Sequence, residues 1–203
     1  MRHGAFDGLD KLLSGRIPGV GLNASGRAQI RHLAERLSDR RVAALYTSPL
    51  QRAHDSAALL SQALSVAIHV ETDLREVDFG AWTDQRPEDL AGDANWHAFN
   101  EHRATTRIPG GELMLEVQAR AIACLLRLAG QHRDQTVVAV SHADVIRAVV
   151  AACLGCSLDT TLRLTVEPAS VTELCLGDHP PRIIRVNDTS HLVVSASLAD
   201  PRR

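Results

Sequence analysis

The stretch Val42-Ala43-Ala44-Leu45-Tyr46-Thr47-Ser48-Pro49-Leu50-Gln51-Arg52-Ala53 reads as a buried strand, a loop and the start of a helix. Its first six residues form a short apolar run that Ser48-Pro49 ends, as expected of a strand covered on both faces. From Gln51 the apolar positions Ala53, Ala57, Leu60 and Leu64 recur at helical spacing. A comparable step occurs at Val137-Val138-Ala139-Val140-Ser141-His142-Ala143, where an apolar run leads into a largely apolar helix over 144–154. Arg52 and His142 therefore take equivalent places, each just past the C-terminal end of a strand. In open α/β sheets that is where ligands bind.

Working outward, Ile30, Leu33, Ala34 and Leu37 predict a helix over Ala24–Leu37, and Leu113, Val117, Ala121, Leu125 and Leu128 predict another. Residues 66–70, 162–166, 171–176 and 182–186 read as further strands. Strands alternating with helices predict an α/β three-layer sandwich, with a mostly parallel central sheet covered by helices on both faces. Residues 83–111 show little strand or helix character and hold Pro87, Gly92, Pro109, Gly110 and Gly111. That is longer than a compact domain spends on a connection, so it is expected to be a lid or specificity insert within a single domain over 1–203. Residues 195–203 are expected to be a frayed tail.

The chain has 203 residues, 45% of them hydrophobic and 23% charged, which are ordinary values for one sizeable globular domain. A net charge of -2, with aromatics at 3%, gives no basic run with interleaved rings, so no nucleic-acid partner is expected. No stretch approaches the ~20 apolar residues of a membrane span and the start has no apolar leader, so no membrane partner is expected and the cytoplasm is the default location. Cys124, Cys153, Cys156 and Cys175 lie in or beside apolar runs and are expected in the core. The Cys153/Cys156 pair closes a helix at Gly155, where the helix dipole raises thiol pKa values, the reverse of what a redox pair needs.

Arg2-His3-Gly4 supplies a second arginine and a second histidine. A phosphate monoester is a tetrahedral dianion, and guanidinium forks suit its oxygens better than other side chains do. A histidine set among arginines should have a lowered pKa, because nearby positive charge disfavours the imidazolium; a neutral, nucleophilic nitrogen then persists at neutral pH. Gly19-Val20-Gly21-Leu22-Asn23-Ala24 fits a loose dinucleotide pattern, but a loop rather than a strand precedes it. Residues 21–28 approximate a P-loop, with Arg27 in place of the lysine and Ala28 in place of the magnesium-binding hydroxyl. Both are the turn and N-terminus of the 24–37 helix. No H-E-x-x-H or comparable cluster occurs among the histidines, so neither a metal nor another cofactor is implied.

These pieces, together with Leu22 to Gln29, Leu74-Arg75-Glu76-Val77-Asp78-Phe79-Gly80-Ala81-Trp82, Pro109-Gly110-Gly111-Glu112 and Asn187 to Leu192, resemble the histidine phosphatase superfamily, which includes the cofactor-dependent phosphoglycerate mutases. The resemblance implies that His3 becomes phosphorylated, that Arg2, Arg52 and His142 complete the phosphate pocket, and that Glu76 is the proton donor. It implies a metal-independent phosphomonoester hydrolase of small phosphorylated metabolites, working through a phosphohistidine. A phosphoglycerate mutase is the alternative, and a phosphate-binding module with little turnover is a third reading; a homodimer stays open.

The chain also departs from the family. Ala5 stands where a glutamate is usual, Phe6 and Leu9 where mutases carry a hydroxyl and an asparagine, and Thr83-Asp84 where an acid-glycine pair is usual. The missing polar groups favour hydrolysis over transfer. The resemblance further implies a central apolar strand ahead of Arg2, so the first strand is expected to be truncated, a GTG valine codon having been read as the start. Without that strand His3 is expected on a loose terminus, with weak or absent activity. Lys11, Arg16, Arg86, Arg103 and Arg107 could meet a second anionic group of a substrate, solvated surface charge being the plainer reading of each.

Overall fold

The structure is a computed structural model that describes residues 1–9 and 11–192. Its elements run α1 (Ala24–Leu37), β1 (Val42–Thr47), α2 (Gln51–Leu64), β2 (Ile68–Val70), α3 (Ala94–Glu101), α4 (Met114–Gln131), β3 (Thr136–Val140), α5 (Ala143–Leu154), β4 (Val171–Cys175) and β5 (Arg182–Asp188). β1 is the middle of a parallel sheet in the order β2-β1-β3, with Leu45 beside Ile68 on one edge and Val138 on the other. β4 and β5 pair antiparallel.

Period-two alternation sorts the central strands onto two helical layers. Leu45 and Val140 pack with Ile30 and Leu33 of α1 and with Ala53 and Leu60 of α2. Their neighbours Tyr46 and Ala139 turn the other way, onto Cys124 and Leu128 of α4. The result is the expected α/β sandwich with helices on both faces. α1 begins at Asn23, whose side chain accepts the Gly26 N–H at 2.9 Å. α5 ends at Gly155, which closes the helix in the left-handed region at φ 65°.

The start of the chain is bound on both sides. Arg2 bridges Ser141 in the parallel sense, and the His3 N–H donates to the Ser141 carbonyl. On the opposite side the Arg2 N–H donates to the Ser170 carbonyl and the Ala169 N–H to the His3 carbonyl. This corrects the expectation of a loose terminus: backbone bonds to residues flanking β3 and β4 hold His3, which is only 2% exposed.

Three further expectations change. Residues 83–111 contain α3, which starts where the Asp93 carboxylate accepts the Asn95 and Trp96 N–H groups. Trp96 and Phe99 of that helix stack against Trp82 at ring-centroid distances of 5.2 and 5.4 Å, so aromatic packing rather than a long periodic pattern holds it. No strand forms over 162–166, because Leu158–Arg163 is a 3-10 helix that buries Leu158 and Thr161 three residues apart. Cys124 is buried as expected, whereas Cys156 and Cys175 are exposed, one just past the α5 cap and the other at the end of β4. The 195–203 tail lies outside the described residues. Among the described residues no helix is long and apolar enough to cross a membrane.

Candidate active site

The sheet's C-terminal edge gathers the residues predicted from sequence. Arg52 sits in the first turn of α2, after the Ser48-Pro49-Leu50 loop, and is 2% exposed. His142 is the N-cap of α5 and fully buried. His3 lies between them: its ring centroid is 5.0 Å from that of His142, and the Arg52 Nε–H donates to His3 Nε2 at 3.2 Å.

His3 has a defined tautomer. Its Nδ1 lies 2.8 Å from the Gly4 carbonyl oxygen, which can only accept, so Nδ1 carries the proton and Nε2 keeps its lone pair. The Arg52 contact agrees, since a guanidinium can only donate. Burial, then the positive charges of Arg52 and Arg2, holds the His3 pKa well below its ordinary value. His142 is likewise held well below its ordinary value, by burial first, then by His3, Arg52 and Arg2. Both imidazoles are neutral at pH 7.

The His3 loop is set by close backbone approach. A Cβ on Gly26 would lie 2.0 Å from the Ala5 carbonyl oxygen, and one on Gly4 would lie 2.6 Å from the Gly26 carbonyl oxygen. Only glycine lets the first turn of α1 lie against this segment. Ser56 Oγ then takes the Gly4 N–H at 3.1 Å and Gln29 Oε1 the Ala5 N–H at 2.9 Å.

Arg2 and Glu76 complete the group. Arg2 is 9% exposed and donates from Nη1 to the Val166 carbonyl. Glu76 is 8% exposed, and its Oε1 accepts the Val77 N–H at 3.0 Å. Burial pushes its pKa up to about 7, the Asp144 carboxylate adds to the rise, and Arg52, the Val77 N–H and Arg2 oppose it. A buried carboxyl half-protonated near neutrality can give a proton and take one back.

Residues 1–189 match the family model for the histidine phosphatase superfamily, branch 1. The chain belongs to that superfamily. It is 28% identical to phosphoserine phosphatase 1 of Hydrogenobacter thermophilus, across 84% of this chain and 82% of that protein. The solved structure of a mycobacterial glucosyl-3-phosphoglycerate phosphatase is 27% identical and superposes with a TM-score of 0.81, covering 92% of this chain and 95% of that one. The fold of Bacillus stearothermophilus YhfR, 24% identical, superposes with a TM-score of 0.88 over 94% of this chain and 96% of that one.

The sequence reading of this histidine phosphatase missed its supports. Ser48 Oγ, in the Ser48-Pro49-Leu50 loop, lies 2.8 Å from His142 Nε2. The Glu76 backbone carbonyl accepts from Arg16 at 3.0 Å and Arg120 at 3.2 Å, and both arginines pair with Glu112. Arg16 also meets Asp78. Of the other basic residues expected to meet a second anionic group, Arg86 pairs with Glu88, Arg107 with Glu116 and Arg103 with Asp144, while Lys11 is exposed. Surface charge is the wrong description of Arg103, which is 2% exposed and stacks over Phe99.

Proposed function

We propose that this chain hydrolyses phosphomonoesters of small metabolites through a phosphohistidine on His3, with Arg2, Arg52 and His142 binding the phosphate and Glu76 moving the protons. The Nδ1–H···O=C bond from His3 to Gly4 carries the reading, because it leaves the Nε2 lone pair directed at the Arg52 guanidinium, where a phosphate would be held. In the first step His3 Nε2 attacks phosphorus in line with the ester oxygen; the N–P bond forms, the P–O bond breaks, and protonated Glu76 supplies the proton to the leaving oxygen. In the second step the Glu76 carboxylate takes a proton from water as that water attacks phosphorus. The N–P bond breaks, inorganic phosphate leaves, and Glu76 is protonated again.

Arg2, Arg52 and His142 keep the phosphoryl oxygens paired throughout, the electrostatic contribution that dominates phosphoryl transfer. A bound dianion also reverses the local charge, which favours protonation of His142 and strengthens its hydrogen bond. Phe6 supports hydrolysis over mutase chemistry: its ring packs 5.6 Å from His3 and 5.3 Å from the Arg52 guanidinium, giving an apolar wall where mutases place a hydroxyl.

The reading takes 1–203 as one phosphatase domain working in the cytoplasm, with 83–111 as the insert that sets specificity. Backbone bonds from Leu13 to Gln85 and from Asp84 to Leu13 support the insert's part, tying it to the loop beside Gly15, whose carbonyl accepts from Arg52. Phosphoserine and glucosyl-3-phosphoglycerate, named for the relatives, head the metabolites to screen by phosphate release. The decisive test is 32P transfer to the protein: an acid-labile, base-stable label that disappears in His3→Ala supports the mechanism. Isomerisation of 3-phosphoglycerate with 2,3-bisphosphoglycerate, without phosphate release, overturns it.

A further inference from the structure

The two imidazoles of the site are held by different kinds of group. A backbone carbonyl sets the His3 tautomer, whereas the nearest polar partner of His142 is a side chain. His142 Nε2 lies 2.8 Å from Ser48 Oγ, and His142 Nδ1 is buried with no hydrogen-bond partner among the described residues.

We infer that Ser48 is a positioning residue of this site: its hydroxyl donates to His142 Nε2 and so keeps the imidazole proton on Nδ1, the nitrogen that meets the phosphate. This rests on the phosphate role proposed for His142, and adds which ring nitrogen serves, in which protonation state, and what sets it.

The sheet fixes the two residues against each other. Ser48 follows β1 directly and precedes Pro49, whose ring disfavours helical backbone in the residue before it. The Ser48 N–H donates to the Val140 carbonyl at 3.0 Å, just past the point where Thr47 pairs with Val140. Val140 ends β3 two residues before His142. Hydroxyl and ring are thus carried on adjacent strand ends. Both residues are fully buried, so water does not compete for the bond between them.

The direction of that bond follows from counting protons. A hydroxyl has one proton to give and two lone pairs. One lone pair accepts the Leu50 N–H at 3.3 Å, and an amide N–H can only donate. The neighbouring Thr47 hydroxyl donates to the Ser48 carbonyl, so it is no acceptor for the Ser48 proton. Among the described residues this leaves His142 Nε2 to accept it. Were Nε2 protonated instead, ring and amide would both donate to Oγ, and the hydroxyl proton would be buried with no acceptor. A neutral imidazole has one N–H, so a lone pair on Nε2 puts the proton on Nδ1.

The chemistry of the ligand asks for the same state. A phosphate dianion offers only acceptors, which an N–H at Nδ1 meets and a lone pair there would repel. His3 and His142 then carry their protons on the same ring atom and do opposite work. In His3 the Nδ1–H is engaged by Gly4, which exposes the Nε2 lone pair as a nucleophile. In His142 the Nε2 lone pair is engaged by Ser48, which exposes Nδ1–H as a donor.

The test is 15N NMR of the full chain labelled in its histidine rings, free of phosphate and at neutral pH, with signals assigned by their loss in His142→Gln and His3→Gln. His142 should show a pyrrole-like Nδ1 and a pyridine-like Nε2. In Ser48→Ala the two His142 shifts should move toward each other as the tautomers exchange, while those of His3, held by Gly4, stay in place. In steady-state assays Ser48→Ala should lose roughly tenfold or more in kcat/KM, equally for p-nitrophenyl phosphate and an alkyl phosphate, because the phosphate end is common to both. A pyrrole-like Nε2 in the wild-type chain overturns the proposal, and this spectrum decides even if Ser48→Ala does not fold. An unchanged His142 pattern in Ser48→Ala overturns it too, as does a loss confined to the alkyl substrate, which would place the effect at Glu76. If neither substrate is turned over by the wild-type chain, the proposed hydrolysis fails, while the spectra still decide the tautomer.

Discussion

Replacing Glu76 with glutamine should separate two kinds of substrate. The wild-type carboxyl, with its pKa at about 7, is half-protonated at neutrality. An alkyl phosphate needs a proton on its leaving oxygen, so its kcat/KM should fall about tenfold per pH unit above that value. p-Nitrophenyl phosphate releases a stable phenolate, and its first step needs no proton. Glu76→Gln keeps the shape and can accept the Val77 N–H through its amide oxygen, but removes the transferable proton. Loss of a general acid costs roughly 10²–10⁴-fold, or about 3–5 kcal/mol of barrier, and this should appear in kcat/KM for the alkyl substrate. For p-nitrophenyl phosphate, kcat/KM should fall less than about tenfold, while kcat falls because water attack on the phosphoenzyme has lost its base. The assay is stopped-flow release of nitrophenolate beside phosphate release from an alkyl ester, from pH 5 to 9. A nitrophenolate burst of one equivalent per site, followed by slow turnover, is expected. Equal losses on both substrates, or an alkaline limb that survives the substitution, refutes the assignment of Glu76.

Other perturbations follow from the same geometry. Arg52→Lys keeps a charge but loses the fork that meets both His3 and the Gly15 carbonyl, so kcat/KM should drop on the order of 10²–10³-fold in steady-state assays with little change in the thermal midpoint. Gly26→Ala puts a methyl group 2.0 Å from the Ala5 oxygen; denaturant unfolding should show a loss of about 2 kcal/mol or more, and a loss under about 0.5 kcal/mol contradicts the close packing. The Met1 amino group is protonated in the unfolded chain below pH 8 but stays neutral in the folded chain until about pH 5. The folded chain therefore loses stability as pH falls through that window, and an Nα-acetylated chain should gain over the free one by an amount that grows toward about 4 kcal/mol at pH 5 and vanishes above pH 8. Taking the difference between the two chains removes the opposing contribution of Glu76.

Legibility in the sequence tracked the range of the interactions involved. β1, β3 and the helices after them could be read because a strand buried on both faces must be an apolar run, and Ser48-Pro49 marks its end locally. Arg52 and His142 followed from their positions after those strands. His3 and Glu76 needed the family resemblance, since nothing within a few residues of either announces a pocket. α3 was missed because its anchors are two aromatics three residues apart that pack on Trp82, too short a pattern for periodicity to register. The 162–166 run alternates like a strand, yet the Ser157 side chain caps a 3-10 turn through the Asp159 N–H and the chain curls instead. The clamp of Arg16, Arg120 and Glu112 around the Glu76 carbonyl joins positions some forty to sixty residues apart, and charge counts read in one dimension left Arg16 as surface.

Arg103 and Asp144 join the insert to the first turn of the helix that carries His142, out of contact with water. Removing Asp144 strands the Arg103 charge in the interior, a cost of several kcal/mol, whereas removing Arg103 leaves Asp144 with Arg147 alone, whose Nη1 lies 3.2 Å from the same oxygen. Anyone exchanging residues 83–111 for another segment inherits a constraint: a donor that brings no cation in place of Arg103 leaves Asp144 to Arg147 alone, in the first turn of the helix that carries His142. Loop grafts chosen for shape alone should therefore lose stability at the base of that helix before any change in activity can be read.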